Sequence, residues 1–332
     1  MQSTYQNAFL GSLVADAVSM PVHWYYDTVA LDRDYGEIQD YQAPLSDHPD
    51  SILWRSSYKP LNEKGEILHD QAQYWGQPQV HYHQFLRAGE NTLNYKLGIE
   101  AYKTIIRNGG YDSLQWLEKY IHCMQTPGWH KDTYVEEYHR GFFLNYAKGK
   151  KPEQCGVAAP YMGGLAQVPA VVAGCDALKD TEEHELKSLA LTHASLTHTD
   201  EKVSQAVSTF MDLLERIIGG DTVHDAIAVA ANDFVSPTEL KKLSQKPDRD
   251  VLKNHYSPAC YLPDSFRASL FLAWKYSDNF TAAILSNARA GGDNCHRGAV
   301  VGGLVGAAEG VPSSWLKGLR SMEHLRCDTL LP

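Results

Sequence analysis

Apolar positions recur at helical spacing through most of the chain, and capping residues divide them into separate helices. Positions 8–20 carry a small-residue face and stop ahead of Pro21. Positions 92–108 are ended by Gly109-Gly110, and Asp112-Ser113 is placed to cap a helix running to 124. The helical pattern continues over 134–147, 181–191, 200–218 and 222–232. Ser236-Pro237 is placed to cap a short helix at 238–243, and 265–276 and 279–289 form a further pair. Residues 22–80 are rich in Tyr, Trp, Pro, Asp and Gly without a sustained period. They predict an irregular, aromatic-rich insertion with only short helices, of the kind that lines or covers a site. Residues 248–263 read as polar and irregular. The segment 156–169 is apolar but broken by Gly and Pro, which suits a buried loop leading into a helix. No alternating run is long enough for a strand, and no repeat has a fixed period, so the chain reads as all-α.

One stretch departs from ordinary amphipathic patterning. Ala290-Gly291-Gly292-Asp293-Asn294-Cys295-His296-Arg297 places two glycines before four polar residues able to ligate, hydrogen-bond or attack. Gly298, Gly302 and Gly306 then lie four apart on one helical ridge, with Ala299, Gly303 and Ala307 on the next. Such a ridge admits another helix to near backbone contact and holds the preceding loop rigid.

Composition narrows the function classes. A chain of 332 residues with 43% hydrophobic and 21% charged positions can bury a core without disulfides. Thirty basic against forty acidic residues give a net charge of −10, and no long Lys/Arg run exists, which argues against general nucleic-acid binding. Cys123, Cys155, Cys175, Cys260, Cys295 and Cys327 are scattered with no Cys-x-x-Cys, so a reduced, cytoplasmic protein is expected. The N-terminal apolar stretch is interrupted by Asp16, and no apolar run approaches the ~20 residues of a membrane span.

Four segments, in order, resemble the ADP-ribosylglycohydrolase superfamily, which includes the dinitrogenase reductase-activating glycohydrolases and J-class crystallins. Leu10-Gly-Ser-Leu-Val-Ala-Asp16-Ala-Val-Ser-Met-Pro21-Val-His23 is similar to the family's opening Gly-x-x-x-Gly-Asp-Ala-x-Gly-x-Pro-x-Glu. Gly89-Glu90-Asn91-Thr92 lies where the family has Thr/Ser-Asp-Asp/Glu-Thr, and Thr192-His193 to Asp200 resembles its Thr-His segment. Gly291 to Gly298 resembles Gly-Gly-Asp-x-Asp-Thr/Ser-x-Gly. The resemblance implies one domain over 1–332, folded as a compact orthogonal multi-helix bundle. It also implies a small-molecule or ADP-ribosylated substrate, hydrolysed at the ribose anomeric carbon. A non-catalytic nucleotide-binding or crystallin-like structural role on the same fold is the alternative.

The same resemblance implies two magnesium ions, yet the six corresponding places hold Gly89, Glu90, Asn91, Asp293, Cys295 and His296. Only two keep a carboxylate, so a changed metal such as zinc, or none, is expected. Glu90, Asn91, Asp293, Cys295 and His296 are the candidate metal ligands. Glu90, Asp293 and Cys295 are the candidate catalytic groups, with Glu90 and Asp293 expected to face each other. Cys295, at a helix start beside His296 and Arg297, is expected to have a lowered pKa. His23, Gly163, Gly164, Gly291, Gly292 and Asn294 are the candidate substrate-binding residues, with a pyrophosphate at the glycine loop. Asp16, His193 and His198 are expected to act as buried structural anchors.

Overall fold

A computed structural model describes residues 3–179 and 183–327. Its helices are α1 (Thr4–Ser19), α2 (Thr28–Tyr35), α3 (Leu93–Asn108), α4 (Ser113–Gln125), α5 (Glu137–Ala147), α6 (Val168–Leu178), α7 (Glu183–Ser195) and α8 (Glu201–Ile218). They continue with α9 (Val223–Ala230), α10 (Pro237–Leu243), α11 (Asp248–Asn254), α12 (Asp264–Lys275), α13 (Phe280–Arg289), α14 (Asn294–Glu309), α15 (Ser313–Gly318) and α16 (Ser321–Cys327). Among the described residues no strand forms; three isolated bridges join loops. The caps expected at Asp112 and Ser236 are in place, and three further helices are capped the same way. Asp112, Asp200, Thr222, Ser236 and Asn279 each accept a backbone N–H in the first turn of the following helix. Gly109 ends α3 in the left-handed conformation.

The centre of the fold is α14 against α1. A Cβ on Gly302 would stand 2.3 Å from the Gly11 carbonyl oxygen, and one on Gly306 would stand 2.9 Å from that of Asn7. Gly298 packs on Ala15, and Gly303 on the second ridge faces the Phe210 ring. The helices therefore meet backbone to backbone, as the glycine spacing required, and the loop entering α14 is fixed from behind.

Several boundaries differ from the pattern in sequence. Helix α1 begins at Thr4 rather than 8, because Ser3 and Gln6 form a capping box there. Helix α5 begins at Glu137 rather than 134, because the N–H groups of Thr133 and Tyr134 are drawn to the Tyr82 carbonyl at 2.8 and 3.3 Å, holding that strip extended. Helix α11 forms inside the stretch expected to be irregular. Asp248 and Asp250 lie in its first turn, where the helix dipole favours them, and Val251 and Leu252 are buried beneath. Helix α7 runs to Ser195, so His193 belongs to its last turn; positions 181 and 182 lie outside the described residues. Residues 22–80 form the expected irregular cover, with α2 and three 3-10 turns. No described helix is long and apolar enough to cross a membrane.

Candidate active site

Asp293 precedes α14, a position where a carboxylate commonly caps the helix. It makes no capping bond. Its Oδ1 instead receives the Trp24 indole N–H at 2.9 Å and lies 3.1 Å from His23 Nε2 and 2.7 Å from His296 Nδ1. All four side chains are buried or nearly so. Asp293 and His296 reach the same point because residues three apart share a helix face. His23 and Trp24 arrive from the turn after α1, where Trp24 adopts a positive φ of 64° and its N–H bonds the Gly292 carbonyl at 2.8 Å.

The contacts extend on both sides. His23 Nδ1 lies 2.9 Å from His83 Nε2, and His83 Nδ1 lies 2.8 Å from Asp132 Oδ1, which also accepts the Leu93 N–H that opens α3. On the other side, His296 Nε2 lies 3.2 Å from Glu136 Oε1 and 2.6 Å from Asn94 Nδ2. Asn94 donates to Glu136 at 2.5 Å, and its carbonyl accepts from Tyr138 and lies 2.8 Å from His139 Nε2. A chain Asp132, His83, His23, Asp293, His296, Glu136 thus crosses the interior.

Its electrostatics follow from burial and neighbours. Burial lowers the His23 pKa to about 3, outweighing the pull of Asp293. Burial alone would raise Asp293, but His296 and His23 beside it bring the carboxyl well below its usual range. For His296, burial works against the cation, yet Asp293 and Glu136 on either side raise its pKa well above the ordinary value. Asp132, which burial would raise, is held low by the hydrogen bond from His83.

Glu136 marks where this chain meets solvent, with a side chain 16% exposed. It lines a cavity of about 330 Å³ together with Trp24, Tyr26, Arg55, Tyr82, Tyr134, Tyr161, Cys260 and Tyr261. The rings of Tyr82 and Tyr134 stand edge-on to Trp24 at 4.8 and 5.3 Å. A ligand entering here meets aromatic side chains and the carboxylates of Glu136 and Glu137.

Several expected site residues stand elsewhere. Glu90 does not face Asp293; its carboxylate accepts the Arg87 N–H at 2.8 Å, closing a local turn beside a different surface pocket. Asn91 donates to the Leu13 carbonyl at 2.8 Å and to Asp16 at 2.9 Å. Thr92 gives Asp16 both its hydroxyl and its N–H, so Asp16 is the buried anchor its position suggested. Cys295 lies one residue, or about 100° of helix rotation, from His296 and turns toward α1. Its thiol donates to the Asp16 carbonyl and packs with Met20 and Leu86. Burial, followed by the nearby Asp16 carboxylate, pushes that thiol well above its ordinary pKa, the reverse of the expected direction.

The glycine loop also has a different task. The N–H of Gly292 bonds the Tyr25 carbonyl and that of Asp293 the Pro258 carbonyl, each at 2.7 Å, so neither is free for a pyrophosphate. Gly291 and Gly292 have φ near +65°, and a Cβ on either would strike those same two carbonyls. Asn294 ties the loop to Val22 and Ala288, and the buried Arg297 braces it through Asn287 and Gly291. Of the pair in the buried loop, Gly163 borders Glu136 and His296, whereas Gly164 packs on Val203 and His198. His198 lies 2.9 Å from the Thr197 hydroxyl, and His193 sits between Tyr111 and Gln167, both structural positions.

The ADP-ribosylglycohydrolase family model matches residues 1–331. The chain belongs to the ADP-ribosylglycohydrolase family. It is 25% identical to Crystallin J1A of Tripedalia cystophora over 320 residues, covering 93% of this chain and 89% of that relative. A solved structure described as an ADP-ribosylglycohydrolase-related protein complex superposes with a TM-score of 0.64 at 18% identity, over 99% of this chain and 96% of that one. The all-α fold of this family is therefore the fold of the chain.

The family's pair of magnesium ions does not fit this member. Gly89 offers no side chain, Glu90 is turned into its own loop, Asn91 is spent on α1, and Cys295 is enclosed by apolar groups. Asp293 alone among the six positions brings carboxylate oxygen to the buried cluster, too little for two hard, oxygen-seeking cations. Sequence reasoning missed Glu136, His83, Asp132 and Asn94. The alternation His81-Tyr82-His83 was the available signal for one of them.

Proposed function

We propose that the chain is a glycohydrolase that cleaves an N- or O-glycosidic bond at the ribose anomeric carbon of an ADP-ribosyl or related nucleoside substrate. Family membership and fold support the substrate class. The observation that carries the reading is the place of Glu136, whose carboxylate lines the aromatic cavity and also lies 3.2 Å from His296, the partner of Asp293.

In this reading the base stacks among Trp24, Tyr134 and Tyr161, and the ribose sits at the inner end. Water adds its oxygen to the anomeric carbon as the bond to the leaving group breaks. Glu136 takes a proton from that water and passes one to the departing nitrogen or oxygen. Asp293 and Glu136 supply negative field to the oxocarbenium-like transition state, while His296 between them fixes the Glu136 carboxylate.

The test is release of ADP-ribose, measured by chromatography, from a panel carrying guanidine-linked, hydroxyl-linked and acyl-linked ADP-ribose. Turnover of at least one linkage, with a loss of 100-fold or more in Glu136→Gln, is expected. No release from any member overturns the hydrolytic reading. The crystallin relative favours the second reading, a non-catalytic protein that binds a nucleotide or serves structurally. ADP-ribose binding without turnover selects the first form of it, and absence of both selects the second.

A further inference from the structure

We infer that His23, Asp293 and His296 form a mononuclear site for a borderline divalent transition metal such as zinc, cobalt or iron(II). The site shares Asp293 and His296 with the glycohydrolase reading, but it is tested by stoichiometry and spectrum and does not depend on turnover. His23 Nε2, His296 Nδ1 and an Asp293 oxygen all lie within 4.8 Å of one another, and all three residues are buried. Two imidazole nitrogens with one carboxylate suit this class of ion and not magnesium.

The surrounding contacts aim the three donors at one point. Asp132, His83, His23 and Asp293 follow one another at contacts of 2.8 to 3.1 Å, so His83, backed by Asp132, braces the far side of the His23 ring while His23 Nε2 faces the Asp293 carboxylate. On the other side His296 Nδ1 faces the same carboxylate at 2.7 Å, and its Nε2 reaches Glu136 Oε1 at 3.2 Å and Asn94 Nδ2 at 2.6 Å.

The outer contacts therefore match what ligating histidines require, since each ring nitrogen remote from the ion has a carboxylate-backed partner. Asp293 Oδ2 is buried and has no hydrogen-bond partner, which leaves an oxygen for the ion. The Trp24 N–H on Oδ1 orients that carboxylate. Ligand bonds of about 2.0 to 2.2 Å put two donors on one ion roughly 3.0 to 3.5 Å apart, so the His23 contact of 3.1 Å already has that spacing and the His296 contact of 2.7 Å opens by about 0.3 to 0.8 Å.

The experiment uses the full chain stripped with a chelator, dialysed, and titrated with Co²⁺ and Zn²⁺. Close to one equivalent is expected to bind, with visible cobalt d–d bands of a low-coordinate nitrogen and oxygen site and no thiolate charge-transfer band. X-ray absorption of the zinc form is expected to show about two imidazoles. Glu136→Gln, which alters a partially exposed group outside the ligand set, is expected to weaken cobalt binding 10- to 100-fold. His23→Gln is expected to abolish the d–d bands, with circular dichroism confirming the fold. If that variant unfolds, the wild-type stoichiometry and spectrum decide. Binding below 0.1 equivalent, a sulfur-ligated spectrum, or a first shell of oxygen alone overturns the assignment.

Discussion

Asp293 Oδ1 lies 2.7 Å from His296 Nδ1 across one turn of α14, so a carboxylate placed to cap the helix instead holds a side chain of that helix. The same oxygen gathers His23 and Trp24 from the far side of the cleft. Asp293→Asn keeps the shape but removes the charge that draws these groups together. It is expected to abolish turnover and to lower the unfolding free energy by about 1–3 kcal/mol, as for a buried group losing a charged partner. Urea denaturation and an activity assay check both. Unchanged values in the two would contradict the site.

The close contact of α1 and α14 predicts a sharp contrast between glycines. Gly302→Ala drives a methyl against the Gly11 carbonyl and should cost at least about 2 kcal/mol despite the better helix propensity of alanine. Gly110→Ala, where a Cβ meets open space, should stay within about 0.5 kcal/mol of the parent. Thermal melts of the two variants measure the difference.

The buried Cys295 thiol, with its pKa raised, carries almost no thiolate at neutral or mildly alkaline pH. Iodoacetamide at pH 8 is therefore expected to leave it unmodified in the folded protein and to alkylate it fully in urea. Peptide mass spectrometry reads the site directly, and native labelling at the rate of free cysteine would contradict the packing described.

Buried histidines set the acid stability. Burial lowers His193 and His198 to about 3 and His48 to about 4, whereas in the unfolded chain they titrate near 6.5. Between these values the unfolded state binds protons that the folded state refuses, so stability present above pH 6.5 is lost as pH falls toward 4. Below about pH 5.5 each such histidine contributes a slope of about 1.4 kcal/mol per pH unit. Urea midpoints at pH 7, 6, 5 and 4.5 should fall progressively, and less steeply in His193→Gln. Superimposable pH profiles for the two proteins would contradict this origin.

Much of this fold is legible in the chain because its signals are local. Asp112, Asp200, Ser236 and Asn279 announce helix starts through their own side chains, and the glycines of α14 announce a close neighbour through their spacing. Asp293 was legible for the same reason, as a carboxylate between a glycine turn and a small-residue helix. Glu136 was not, because nothing within a few residues distinguishes it. It acquires meaning only when Tyr82 pins residues 133 and 134 in an extended strip and α5 starts late. Cys295 and Glu90 misled for a geometric reason. Adjacent residues on a helix point about 100° apart, so the neighbour of a site residue faces α1, and a carboxylate near a helix start can fold back on its own turn.

The place of the substrate decides whether the aromatic cavity is the active site. A crystal structure of the Glu136→Gln protein soaked with ADP-ribose is expected to show the adenine among Trp24, Tyr134 and Tyr161. The distal ribose should lie within hydrogen-bond reach of residue 136. Density for the ligand against the Gly291-Gly292 loop, in the pocket beside Glu90 and Arg320, or nowhere at millimolar concentration would contradict the aromatic cavity as the active site.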